Sequence, residues 1–176
     1  MVEESQLKYW RDAGHVARRT LEAMKLELQP GKTFHEIIES AERFIHRHGG
    51  KPAFPGTIAV NDLAAHFTTN HMVEPVEGWE GESVLQKGDL VKIDFGVHIK
   101  GHIGDNALTF EVGNSNEHTE QIKAAKEARD AAVEMLHPGT PWYKVGQAAA
   151  QPSLDAGFQP IRNLCGHQLK PWELHA

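Results

Sequence analysis

The chain has 176 residues, enough for one domain of ordinary size with a substantial buried core. Hydrophobic residues make up 40% and charged residues 24%, a globular composition that excludes a disordered or low-complexity chain. Eighteen Lys and Arg against 24 Asp and Glu leave a net charge of -6, which argues against nucleic acid or an anionic membrane surface as a partner.

In chain order, the first twelve residues are interrupted by Glu3, Glu4, Lys8 and Arg11, so they do not read as a secretory signal. No later run approaches the ~18 consecutive apolar residues of a membrane span. Leu7, Trp10, Gly14, Ala17, Leu21 and Met24 lie on one helical face, and Pro30-Gly31 supplies a stop. Thr33 and Glu36 have the spacing of a capping box. Phe34, Ile37, Ile38, Ala41, Phe44 and Ile45 then predict a second amphipathic helix that ends at Gly49-Gly50. An acidic surface loop is expected from Asn70 to Val84, where Glu74, Glu77, Glu80 and Glu82 surround Trp79.

Leu90 to Ile99 and His102 to Val112 are β-rich runs meeting at Lys100-Gly101, the signature of a tight hairpin. With Ile99 opposite His102, Asp105 faces Gly96 and Asp94 becomes its diagonal neighbour, roughly 7–8 Å away between backbones. Lys92, His98, Ala107 and Thr109 share the acids' face, and Gly96 is expected to leave space there for a ligand. Val91, Ile93, Phe95, Val97, Ile99, Leu108 and Phe110 form the opposite face, predicted to bury against helices.

Two acids held together repel, so either one takes up a proton or a cation lies between them. Carboxylate oxygens with histidine favour Co, Mn, Fe or Zn, and carboxylates able to bridge suggest two divalent ions. A solvated hairpin with two unrelated acids is the alternative. The chain has 12 histidines. His15, His46, His48, His118 and His137 fall in helical or turn contexts and read as surface residues. His66, His167 and His175 are the ones that could join the acids.

Beyond the hairpin, Ile122, Ala125, Ala132, Met135 and Leu136 predict a third helix face, followed by Pro138-Gly139 and by Thr140-Pro141 as N-cap and first-turn proline. Leu28 and Leu136, Pro30 and Pro138, Gly31 and Gly139, Phe34 and Trp142, Ile37 and Val145, Gly49 and Gly157, and Pro52 and Pro160 all stand 108 positions apart. The constant offset points to an internal duplication, residues 1–112 and 113–176. Pro152 is expected to kink or shorten the fourth helix. Cys165, the only cysteine, cannot form an internal disulfide, which fits a reducing compartment. With no base-paired nucleophile pattern around it, it reads as a small buried thiol.

The stretches GGKPAFP (49–55), NDLAAHFT (61–68), KIDFGVHIKGHIGDNA (92–107) and PIRNLCGHQLKPWELHA (160–176) closely resemble the type II methionine aminopeptidases of archaea and the eukaryotic cytosol. The resemblance spans essentially the whole chain. It implies an α/β pita-bread fold of two related halves, truncated in its second half. It also implies a pair of divalent metal ions held by Asp94, Asp105 and His167, with Asp105 bridging. His66 and His175 would act on the substrate, His66 near the scissile bond and His175 by hydrogen-bonding the peptide. The implied activity is metal-dependent removal of the initiator methionine from new polypeptides whose second residue is small. Nascent N-termini would be the partners in the cytoplasm, a setting compatible with proximity to the ribosome.

Family members also supply two glutamate ligands, one of them a general base. Glu173 is the only glutamate after His167, and it matches neither motif. At an offset of 108, Ala176 corresponds to Thr68, so no counterpart of the acid hairpin is reached. The expectation is a single incomplete peptidase domain, residues 1–176, weakly active or inactive. The other readings are a non-catalytic pita-bread binding protein, which would have no reason to hold converging acids, and a proline-specific peptidase of the same superfamily.

Overall fold

The computed structural model describes residues 4–69, 84–113 and 115–176; the acidic loop expected at 70–84 lies outside them except for Val84. The first helix, α1 (Glu4–Met24), buries Ala13, Val16, Ala17, Thr20, Leu21 and Met24. It ends six residues before Pro30, and Leu28 N–H still bonds to the Met24 carbonyl. Helix α2 (Phe34–Arg47) opens on the expected capping box. The Glu36 N–H donates to Thr33 Oγ1 at 3.1 Å and the Thr33 N–H donates to Glu36 Oε2 at 3.0 Å, satisfying two of the helix's open donors.

The sheet is antiparallel and built around one central strand. Strand β1 (Lys51–Pro52) and strand β2 (Thr57–Val60) both pair with β3 (Leu90–Ile99), whose other edge pairs with β4 (His102–Glu111). The β3–β4 register is the one expected from the Lys100-Gly101 turn: Ile99 opposite His102, Gly96 opposite Asp105, Asp94 opposite Ala107. Along the other edge, Pro52 faces Val97 and Thr57 faces Asp94. Residues 53–56 therefore bulge between the two short strands.

The two faces separate as predicted. Val91, Ile93, Phe95 and Val97 are almost fully buried with α1 and α2 in the core, while Ile99, Leu108 and Phe110 pack at its margin. Helix α1 comes close to β4 because Gly104 has no side chain: a Cβ there would lie 2.7 Å from the Gly14 nitrogen. His102 joins the same face, 5% exposed, its ring tilted against Tyr9 and edge-on to Trp10.

The chain divides into two compact units, Met1–Ser115 with His167–Ala176, and Asn116–Gly166. In the second, α3 (Thr119–Met135) packs on α4 (Trp142–Asp155). Of the apolar face expected of α3, Ile122, Ala132 and Met135 are half-buried, whereas Ala125 and the C-cap Leu136 are exposed and Ala124 is the buried residue. A single facing helix covers only a narrow stripe of its neighbour. Pro141, in extended conformation, is the N-cap of α4, and no side chain caps that end. Pro152 lies within α4 without shortening it. Only one main-chain bond is lost so near the helix's end, and Ala156 N–H still reaches the Pro152 carbonyl.

Helices α2 and α4 have the same length, and their bounds differ by 108 at both ends. The flanking glycines share positive φ: Gly31 and Gly139 at 90° and 86°, Gly49 and Gly157 both at 81°. Their cover differs. Phe34 is 6% exposed beneath the sheet, whereas Trp142 at the equivalent position is 68% exposed. Among the described residues no helix is long and apolar enough to cross a membrane.

Candidate metal centre

Asp94 and Asp105 project from the face of the hairpin that lies away from the helices, because side chains alternate along β3 and β4 and the other face is taken by the core. Burial pushes the Asp94 carboxyl up to about 6 from its ordinary value of 3.8, followed in effect by the charge of Asp105. A carboxyl–carboxyl hydrogen bond with Asp105 acts in the same direction, and the positive charges of His66 and His167 act against it. Asp94 Oδ1 is buried with no hydrogen-bond partner among the described residues. An acceptor left in that state carries a desolvation cost that a proton or a cation would relieve.

The final ten residues return to this face. His167 Nε2 lies 3.5 Å from Asp105 Oδ2, and the His175 ring stands edge-on to His167, centroids 4.4 Å apart at 82°. His66 is exposed with φ 63°. It follows a turn pinned at its start by Asn61, whose N–H bonds to the Leu90 carbonyl and whose side chain accepts from Leu90 N–H and donates to Asp89. Lys92 Nζ donates to the Asn61 carbonyl at 2.7 Å. After the turn, Ile58 N–H bonds to the Phe67 carbonyl and Thr68 Oγ1 donates to the Gly56 carbonyl. All five residues singled out from the sequence thus belong to one compact unit.

Two expectations fail here. The space expected at Gly96 is filled by Phe54: a Cβ on Gly96 would lie 2.1 Å from its ring. The bulge at 53–56 folds the Phe54 side chain over the strand beside the acids, a placement that hydrophobic periodicity does not reveal. Cys165 is exposed rather than buried, because residues 161–168 run outside any packed element. Sequence reasoning also passed over Trp172, whose ring rests on Gly101 beside His98.

Among the described residues, no group of three or more His, Cys, Asp or Glu side chains forms a ready cage for a metal ion. What is present is part of a donor set: two carboxylates in contact, one oxygen buried and unpartnered, and an imidazole beside the second acid. Oxygen and imidazole donors of this kind suit a divalent ion of intermediate hardness.

The model of metallopeptidase family M24 matches residues 8–176. The chain is 39% identical over 164 residues to a methionine aminopeptidase of Thermococcus onnurineus, covering 93% of this chain and 52% of that protein. It is 38% identical to one of Pyrococcus horikoshii, covering 94% and 52%. The chain thus spans about half the length of these relatives. Among solved structures it is similar to a methionine aminopeptidase of Thermotoga maritima, with TM-score 0.85, 25% identity, and 99% of this chain and 70% of that one covered. It is also similar to the prolidase of Pyrococcus furiosus, with TM-score 0.80, 26% identity, and 98% and 49% covered. The fold is the mixed helix-and-sheet pita-bread architecture that the resemblance implied. The chain belongs to metallopeptidase family M24.

Proposed function

We propose that the complete protein removes the initiator methionine from nascent polypeptides with a small second residue, in the cytoplasm and with no nucleic-acid or membrane partner. Residues 1–112 and 113–176 are read as two copies of one ancestral unit in a single peptidase domain, the second unfinished. In this reading Asp94, Asp105 and His167 would hold divalent metal ions, a pair of Co, Mn, Fe or Zn, and Asp105 would be the ligand common to both. When bound, such ions supply Lewis acidity and an activated water. His66 hydrogen-bonds the substrate beside the scissile bond, and His175 steadies the peptide carbonyl as negative charge develops on it. The observation that carries the reading is the buried, unpartnered oxygen of Asp94 against the like charge of Asp105, with His167 alongside. Identity near 38–39% to two methionine aminopeptidases favours this substrate class over a proline-specific one.

The 176 residues provide three of the five metal ligands the resemblance implies. The chain alone, mixed with Mn or Co and a Met-Ala-Ser peptide, should therefore release no methionine above background. Fused to the C-terminal half of the Thermococcus onnurineus relative, it should release methionine from Met-Ala-Ser, leave an Xaa-Pro dipeptide intact, and lose the activity on Asp105→Asn. Turnover by the chain alone would overturn the incomplete-site reading, and a fusion that prefers Xaa-Pro would overturn the substrate assignment.

A further inference from the structure

The last ten residues form a small closed loop with Trp172 at its tip. Lys170 and Glu173 exchange two main-chain hydrogen bonds at 3.0 Å, and Ala176 N–H donates to the Gln168 carbonyl at 3.0 Å. The legs so tied carry His167 and His175, whose rings meet edge-on. The two histidines thus stand on the two legs of one closed loop.

Three contacts meet at Gly101 to hold that tip. Trp172 N–H donates to the Gly101 carbonyl at 2.9 Å. The indole lies where a side chain on Gly101 would stand, since a Cβ there would be 2.4 Å from Trp172 Nε1. His98 completes the ring: its Nδ1 accepts from Gly101 N–H at 3.3 Å, and its imidazole lies 4.9 Å from the indole. Gly101 is thus needed twice, for the turn's φ of 85° and for the room it leaves the tryptophan.

Burial does not explain Trp172. It is 73% exposed and sits at φ 66°, a conformation that bulky residues adopt only when their surroundings impose it. The Lys170–Glu173 ion pair at 3.8 Å is also exposed, and such pairs hold little.

We propose that Trp172 is a positioning residue: clasped on Gly101 and His98 at the hairpin turn, it holds the closed loop so that His167 stays against Asp105 and His175 against His167. The clasp ties the tip of the acid hairpin to the tip of the histidine loop, so the two donor groups move as one body. The proposal rests on the metal-site reading for its purpose, although the clasp is testable without metal.

The test uses the metal-free 176-residue chain labelled with 15N. In Trp172→Ala the contact between the His167 and His175 rings, read as a nuclear Overhauser effect, should be lost. The Ala176 amide should exchange at least tenfold faster, while the β3 amides keep their protection and show that the fold is intact. Trp172→Phe keeps a ring over Gly101 and should stay within about threefold of the parent. With Mn added, Trp172→Ala should bind at least tenfold more weakly, within the 10–100-fold range usual when a ligand's support is removed. A Trp172→Ala chain with the parent's ring contact and exchange rate would overturn the proposal, and so would a Trp172→Phe chain that loses as much as Trp172→Ala. Failure of the parent chain to bind Mn would instead count against the metal-site reading, with the ring contact and the exchange rate still deciding the clasp.

Discussion

Asp94→Asn removes one charge from the carboxylate pair while keeping the side chain's shape. In the metal-free protein the Asp94 carboxyl titrates at about 6 rather than 3.8, so between those values the folded state holds a proton that the unfolded state has released. Stability therefore falls as pH rises through that window, and the whole penalty is present above about pH 6. A rise of that size corresponds to roughly 3 kcal/mol; solvent screening at a partly accessible carboxylate reduces it to on the order of 1–2 kcal/mol. At pH 7.5 the metal-free Asp94→Asn variant should be more stable than the parent by about that amount, and at pH 3.5 the two should be nearly equal. Amide hydrogen exchange at Val91, Ile93 and Phe95, buried on the central strand, reads the opening of this unit directly. A variant that is less stable than the parent at pH 7.5, or a parent with no fall in stability between pH 4 and 6, would refute the electrostatic account of the pair.

Two glycines one contact apart should respond with opposite sign. Gly104→Ala would place a Cβ 2.7–2.9 Å from backbone atoms of Ala13 and Gly14, which cannot yield without moving α1. Its cost should be about 1–3 kcal/mol in urea unfolding, as for other overpacked sites. Gly14→Ala meets nothing within 4 Å inside α1 and should stabilise by about 0.5–1 kcal/mol. At the hairpin turn, Lys100 Nζ donates to the Tyr9 hydroxyl at 3.0 Å and lies over the Tyr9 ring, which holds the phenol below its usual value. Lys100→Met should raise the Tyr9 titration seen by ultraviolet absorbance, and an unchanged titration would show that the contact is absent in solution.

Much of this fold is legible in local sequence. The hairpin register follows from one glycine at a two-residue turn, and with it the face that carries Asp94 and Asp105. The capping box at Thr33 and Glu36 gives the start of α2, and the 108-residue offset gives the start and end of α4. What local pattern does not reveal depends on chain segments meeting across the fold. Phe54 reaches Gly96 because residues 53–56 bulge out of an edge strand. Trp172 reaches Gly101 because the chain returns after two further helices. The burial of His102 depends on Gly104 letting α1 approach, so a histidine at the start of a β run gave no sign of its aromatic surroundings. Cys165 reads as buried for want of any nucleophile pattern around it, but the segment that carries it joins no packed element and leaves it exposed. At Trp142 the same helical grammar as Phe34 has a different outcome, since burial is set by what covers a face and not by the helix that presents it.

The central claim is that Asp94 and Asp105 form, with His167, a place for a divalent cation. Electron paramagnetic resonance of Mn(II) titrated into the 176-residue chain at pH 7.5 tests it most directly, because free Mn gives the sharp signal and bound Mn does not. The parent should take up Mn. Asp94→Asn, Asp105→Asn and His167→Ala should each bind at least about tenfold more weakly, while Asp130→Asn, on α3, should match the parent. A parent chain that leaves the Mn signal undiminished, or one whose binding survives the loss of both hairpin acids, would contradict the account.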